Sequence, residues 1–308
     1  MSKIFIDGEH GTTGLEIYNR LSNHPKYEIL SLPKDLRKDM DSRIELAKQS
    51  DVTILCLPDE PAKEISKALY NYGNIRIIDC STAHRVDDNW IYGFPELTAN
   101  QEEAIYNAKY VSNPGCYPTG ALSLIRPLRD ADILSADALL NIYAVSGYSG
   151  GGKQLIRDMS DKSCNTYISS DYFIYGLQLN HKHNKEIKHY SIINNYPVFI
   201  PSVARFERGM IINIGLHMSN LDKIANIEDL YEVYRNHYTD KENIIIANAE
   251  EVAEISMISP SELAHTDKLK IYILFNKANN TINLCSVLDN LGKGASGAAI
   301  ANLNIMLK

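Results

Sequence analysis

Short β-branched runs separated by helix-like segments fill the first third of the chain, and this alternation restricts the fold more than any other feature. Ile4-Phe5-Ile6, Tyr27-Glu28-Ile29-Leu30, Val52-Thr53-Ile54-Leu55-Cys56-Leu57, Ile75-Arg76-Ile77-Ile78 and Tyr110-Val111 read as strands. Strands that alternate with helices predict an α/β fold built on a parallel, doubly wound sheet. Further on, the runs at 139–145, 210–218, 270–276 and 281–288 are longer, and with a helix over 227–238 they read as a second, α+β lobe that leans antiparallel. The segment 294–307 reads as a helix with small residues on one face, returning to the first lobe. A chain of 308 residues is long enough for two domains.

Directly after the first strand comes Gly8-Glu9-His10-Gly11-Thr12-Thr13-Gly14-Leu15. Glycines at a strand-to-helix turn let the backbone approach a pyrophosphate, and the helix N-terminus adds amides and positive potential. Gly8, Gly11, Thr12, Thr13 and Gly14 are therefore candidate cofactor contacts; a tight turn that needs left-handed glycines is the competing reading. About 20 residues later an NAD site normally offers an acid to the ribose. Here Ser31 stands instead, with Arg37 and Lys38 following, a pattern that favours the 2′-phosphate of NADP over NAD. A solvated basic turn is the alternative for those two cations. The expected division is a dinucleotide-binding domain of residues 1–116, completed by the C-terminal helix 289–308, and a catalytic and oligomerisation domain of 117–288.

The fifth strand runs into Asn113-Pro114-Gly115-Cys116-Tyr117-Pro118-Thr119-Gly120. Pro114 forces Asn113 to be extended, Gly115 permits a sharp turn, and Pro118 fits only the first turn of a helix. Cys116 is thereby expected at a helix N-terminus, where the macrodipole favours thiolate and free amides can hold an oxyanion. Cys56 and Cys285 read instead as small buried hydrophobes. A thiolate beside a nicotinamide site points to attack on an acyl phosphate, loss of phosphate, and reduction of the resulting thioester to an aldehyde.

For the proton carrier, His181-Lys182-His183 offers two imidazoles, which titrate near neutrality. We favour His183, with His181 second, because His183 adjoins a helix carrying Glu186, an acid placed to orient the ring; His84 is the reserve. Solvated surface histidines are the bland reading, and the H-x-H pair lacks a third ligand for zinc, so no metal is expected. Substrate candidates are Ser81 and Arg85 in Asp79-Cys80-Ser81-Thr82-Ala83-His84-Arg85, Asn113, and the anion-binding types Arg205 and Arg208. The glycine-rich run 146–153 is a candidate site wall.

A net charge of −7 and a pI near 5.7 argue against a nucleic-acid partner, which needs a basic face. No run approaches about 18 apolar residues, so no membrane span is expected. No leader is expected ahead of the first strand, and the five cysteines are scattered without a C-x-x-C pair. The expectation is a cytoplasmic protein without a disulfide framework.

Together these motifs, with Gly292-Lys293-Gly294-Ala295-Ser296-Gly297-Ala298-Ala299 near the end, resemble the N-acetyl-γ-glutamyl-phosphate reductase family in its shorter form. The resemblance spans nearly the whole chain and implies a Rossmann domain joined to a dehydrogenase-type domain. It also implies Cys116 as nucleophile, a catalytic imidazole in the H-x-H element, NADPH as donor, an acyl-phosphate substrate of arginine biosynthesis, and a homotetramer. Gly294 is then expected to line the cofactor. The chain departs from the family at Lys182, where Arg is usual, and at Lys185, where Pro is usual. Another acyl-phosphate reductase, such as aspartate-semialdehyde dehydrogenase, and a noncatalytic dinucleotide-binding regulator are the competing assignments.

Overall fold

A computed structural model describes residues 1–308. They divide into two compact units. Met1–Pro95, Asn100–Pro114 and Ala295–Lys308 form the first, and Glu96–Ala99 with Gly115–Gly294 form the second.

The first unit runs β1 (Ser2–Asp7), α1 (Thr12–Leu21), β2 (Tyr27–Leu30), α2 (Met40–Gln49), β3 (Val52–Leu55), α3 (Asp59–Leu69), β4 (Ile77–Asp79), β5 (Ile91–Tyr92), α4 (Gln101–Asn107) and β6 (Tyr110–Ser112). The strands pair in parallel, in the order β2-β1-β3-β4-β6-β5. Both faces are covered, which is why β3 is buried at every position rather than alternating. The C-terminal helix (Gly297–Met306) belongs to this unit and packs Ala299, Leu303 and Met306 with Ile4, Ile6 and Ile17. Its Asn302 side chain donates to the Gly93 carbonyl at 2.9 Å and fixes that packing from within the core.

The second unit contains α5 (Cys116–Asp130), β7 (Asn141–Gly147), α6 (Gly152–Ser160), β8 (Tyr172–Ile174), α7 (His183–Ser191), β9 (Val198–Ala204), β10 (Met210–His217), α8 (Ile227–His237), β11 (Ile244–Ile246), α9 (Ala249–Glu254), β12 (Leu269–Asn276) and β13 (Thr281–Leu288). Its sheet, ordered β11-β12-β13-β10-β7-β9-β8, is mixed: β7 pairs with β9 and β11 with β12 in parallel, and the remaining pairs are antiparallel. Helix α5 lies on one face, and Leu124, Ile125 and Leu128, at most 1% exposed, seal it there. Each such side chain contributes about 1.5–3 kcal/mol on burial. Gly120 sets the approach distance, since a Cβ there would meet Ile212 Cδ1 at 2.4 Å. On the other face Tyr143 and Val198 stay exposed, with Tyr143 in register with half-buried Ile200. No helix is long and apolar enough to cross a membrane.

The unit boundaries differ from those expected at three places. Gly115 and Cys116 belong to the second unit rather than the first, because α5 buries its apolar face on the mixed sheet. Residues 289–294 stay with that unit because Asp289 is tied to Arg208 and to the His265 amide. Glu96–Ala99 join it as well, through a buried ion pair of 2.5 Å between Glu96 and Lys293. The 294–307 segment is also not one uniform helix, since Gly292–Ser296 is wound as a π-turn.

Candidate active site

In the first unit, β1 ends at Asp7 and the chain turns at Gly8, whose φ of +92° lies in the left-handed region. A Cβ at Gly8 would meet the Cys56 carbonyl oxygen at 2.4 Å, and one at Gly14 would meet the Gly8 carbonyl oxygen at 2.3 Å. The loop thus needs glycine at both positions. Helix α1 begins at Thr12 and Thr13, both half-buried, with Gly11 as its N-cap. A cavity of about 150 Å³ opens here, lined in part by Gly8, Glu9, Gly11, Leu32 and Arg37. A loop with glycine at 8, 11 and 14 leading into a helix N-terminus fits a dinucleotide pyrophosphate. Asp7 also lines the cavity; burial pushes its carboxyl pKa up, while two hydrogen bonds from Arg43, at 2.9 and 2.7 Å, pull it back.

The expected group for the 2′-phosphate is arranged differently from its sequence. Ser31 does not stand alone at the end of β2: its hydroxyl donates at 2.6 Å to Glu9, a buried acid from the glycine loop that the sequence reading leaves out. Arg37 donates from Nε to the Leu32 carbonyl at 3.3 Å and sits 3.8 Å from Glu9. Lys38 is exposed.

In the second unit, the half-buried Cys116 opens α5 with Gly115 as N-cap. Thr119 closes the first turn, both its amide and its hydroxyl donating to the Gly115 carbonyl at 2.9 Å. The Gly115 amide in turn donates to Glu186 Oε1 at 2.7 Å. Glu186, expected to orient the His183 ring, therefore holds the turn that presents Cys116. Gly294 lies against the cysteine, and a Cβ on it would come within 2.7 Å of Cys116 Cβ.

His181 and His183 stand beside the next residue of α5. The Tyr117 ring lies 6.0 Å from His181 and 5.9 Å from His183, and the two imidazoles are 4.7 Å apart. Tyr175 and Phe199 complete the apolar collar around His181, at 5.5 and 5.3 Å. Burial, reinforced by the Lys182 charge, pulls the His181 pKa down to about 4. Its Nδ1 accepts from the His183 amide at 3.2 Å, so the neutral ring keeps its proton on Nε2 as a donor. His183 is 6% exposed at the start of α7. Burial raises the Tyr175 hydroxyl to about 12 and carries Tyr117 well above its usual range, so both phenols stay neutral. Neither tyrosine, nor the glutamate grip on Gly115, is signalled by residue spacing.

The remaining candidates have protein partners. Ser81 donates to Asp79 at 2.7 Å. Arg85 donates to the carbonyls of Asn113 and Cys80, at 2.9 and 3.3 Å. Asn113 is engaged at both ends of its amide, donating to the Ala295 carbonyl at 2.9 Å and accepting from Asn302 at 3.1 Å, which makes it a clamp on the C-terminal segment. Arg205 binds Asp171 at 2.7 Å and the carbonyls of Met159, Ile168 and Ser170, bracing a loop. Arg208 pairs with the fully buried Asp289 at 2.8 Å. His84 is a satisfied core residue, hydrogen-bonded to Asp79 at 2.6 Å and stacked on Trp90 at 4.2 Å. The 146–153 run is the end of β7, a 3₁₀ turn (Tyr148–Gly151) and the start of α6.

Residues 3–105 match the family model described as the NAD-binding domain of semialdehyde dehydrogenase, and residues 116–290 match its dimerisation domain. The chain is 45% identical over 305 residues to an N-acetyl-gamma-glutamyl-phosphate reductase of Brucella anthropi and 46% identical to one of Brucella suis, covering 99% of this chain and 98% of each relative. Among solved structures, a probable aspartate-semialdehyde dehydrogenase from Pseudomonas aeruginosa superposes with a TM-score of 0.75 at 12% identity, covering 100% of this chain and 98% of that one. Aspartate semialdehyde dehydrogenase II from Vibrio cholerae gives 0.72 at 14%, covering 100% and 98%. At such identities the structural likeness speaks for the fold.

Proposed function

Because the chain belongs to the N-acetyl-γ-glutamyl-phosphate reductases of the semialdehyde dehydrogenase family, we propose that it reduces N-acetyl-L-glutamyl 5-phosphate to N-acetyl-L-glutamate 5-semialdehyde and phosphate, in arginine biosynthesis, with NADPH as donor. The observation that carries the chemistry is Cys116 at the first turn of α5 with the His181–His183 pair grouped around the adjoining Tyr117.

The Cys116 thiolate attacks the acyl carbonyl, and collapse of the tetrahedral adduct expels phosphate and leaves a thioester. NADPH, when bound, supplies the hydride that reduces the thioester carbonyl. His183 donates a proton to the resulting oxygen and takes it back as the C–S bond breaks and the aldehyde leaves. His181, neutral with Nε2–H outward from its Nδ1 bond, holds a substrate oxygen. Gly8, Gly11, Thr12, Thr13 and Gly14 hold the pyrophosphate, Arg37 and Lys38 the 2′-phosphate, and Gly294 keeps the space beside Cys116 clear for the nicotinamide. Arg208 is retained as the cation for the substrate carboxylate or phosphate, because Asp289 fixes its plane.

A homotetramer belongs to the same reading, supported by the match to a dimerisation domain and by the exposed Tyr143 and Val198 on the uncovered sheet face. So does a cytoplasmic location, which suits five free cysteines. The reverse assay is the direct test: NADP reduction with N-acetylglutamate semialdehyde and phosphate. Phosphate-dependent turnover is expected, and equal or faster turnover of aspartate semialdehyde would overturn the substrate assignment.

A further inference from the structure

Glu9 is an acid buried in a loop that serves an anionic ligand, and it has no part in the chemistry above. Its residue is 8% exposed and lines the cavity with Gly8, Gly11 and Arg37. One carboxylate oxygen accepts from Ser31 Oγ at 2.6 Å; the other faces Arg37 Nη2 at 3.8 Å and His10 Nε2 at 3.3 Å. A hydroxyl has a single proton to give. Committed to Glu9, Ser31 meets a ligand with lone pairs only. The end of β2 therefore offers a serine acceptor backed by a negative charge, which suits a ribose 2′-hydroxyl. A 2′-phosphate accepts only, carries its own negative charge, and must draw Arg37 away from the carboxylate.

We propose that Glu9 is a specificity-determining residue of the cofactor site: its charge opposes the 2′-phosphate and restrains the NADPH preference set by Arg37 and Lys38. This rests on the reading that those two cations contact the phosphate. Opposing charges at one site set selectivity by difference, since the two cofactors share every other contact. A glutamate that only ties the glycine loop to β2 would affect both cofactors alike.

The test is equilibrium titration of the full chain with NADPH, NADH, 2′,5′-ADP and 5′-AMP, read by calorimetry at pH 8, where ordinary imidazole is neutral. Glu9→Gln keeps an acceptor for Ser31 and removes the charge. NADPH and 2′,5′-ADP should bind roughly tenfold tighter, about 1.4 kcal/mol, while NADH and 5′-AMP change by less than about twofold. Ser31→Ala, which keeps the charge, should show no such gain. An unchanged NADPH to NADH ratio in Glu9→Gln, or equal weakening of all four ligands, overturns the proposal. Arg37→Ala with Lys38→Ala separates the two readings. If that pair abolishes NADPH selectivity while Glu9→Gln leaves it untouched, only the role of Glu9 falls; if neither variant moves the ratio, the phosphate reading falls with it.

Discussion

The Gly115 amide donates to the Glu186 carboxylate at 2.7 Å, so a helix that carries one of the two histidines also grips the turn in front of Cys116. Glu186 is 2% exposed, and an amide left unsatisfied at such depth costs about 1–3 kcal/mol. Glu186→Ala should lower turnover at least about tenfold and slow alkylation of Cys116 with NADPH affinity unchanged, since a small misplacement of a reacting group carries a large rate cost. Glu186→Gln keeps an acceptor oxygen and should recover most of both. Equal losses in Ala and Gln variants would show that the charge, not the grip on Gly115, matters.

Gly294 makes a second, independent test of how Cys116 is held. The Cβ of Gly294→Ala would sit 2.7 Å from Cys116 Cβ and 3.1 Å from the Asp289 carbonyl oxygen, so one of them must move. Overpacking of this kind costs about 1–3 kcal/mol. The variant should fold with a lowered Tm and lose turnover more than NADPH affinity. Normal kcat in a folded Gly294→Ala protein would show that the cysteine tolerates displacement.

Reactivity should set Cys116 apart from Cys56 and Cys285. Cys56 is held well above its usual pKa, first by a hydrogen bond with the Cys80 thiol and then by burial. Burial, with the Glu262 charge, raises Cys285 to about 12. Only thiolate reacts with iodoacetamide. Brief treatment at neutral pH, mapped by peptide mass, should label Cys116 ahead of both. Cys116→Ser should abolish reduction while NADPH still binds, and residual turnover near the wild-type rate would remove the thioester from the mechanism.

The sequence shows its long-period features and hides its cross-chain pairings. Val52-Thr53-Ile54-Leu55 and the 281–288 run stand out because burial requires continuous or alternating apolar residues over several positions. β5, with two residues, and β8 and β11, with three each, are too short for any period to register. Cys116 is legible because Pro114, Gly115 and Pro118 write the turn and helix start locally. The partner of Arg205 is hidden for the opposite reason: Asp171, which it binds, lies 34 positions earlier. Glu9 and Ser31, 22 apart, meet only once β2 lies beside β1, so the acid looks like loop surface until the sheet forms.

The histidine pair gives the sharpest division of labour. His181 has its Nδ1 engaged by the His183 amide and a pKa near 4, so at neutral pH it is a poor proton carrier but a fixed donor through Nε2. His183→Asn should therefore cut kcat by about 10²–10⁴-fold with NADPH affinity unchanged, whereas His181→Asn should act mainly through KM for the acyl phosphate. The depressed His181 pKa also has a sign in stability. Between about 4 and the unfolded value of 6.5 the unfolded chain binds this proton and the folded one does not, so stability contributed by the neutral ring falls as pH drops through that window. With a discount for the exposed part of the ring, the loss between pH 7 and pH 5 is about 1 kcal/mol. Urea midpoints at those two pH values should lie closer together in His181→Asn than in the parent. A parent whose difference is no larger than the variant's would place the His181 proton in the folded state as well, and would return it to contention with His183 as the acid.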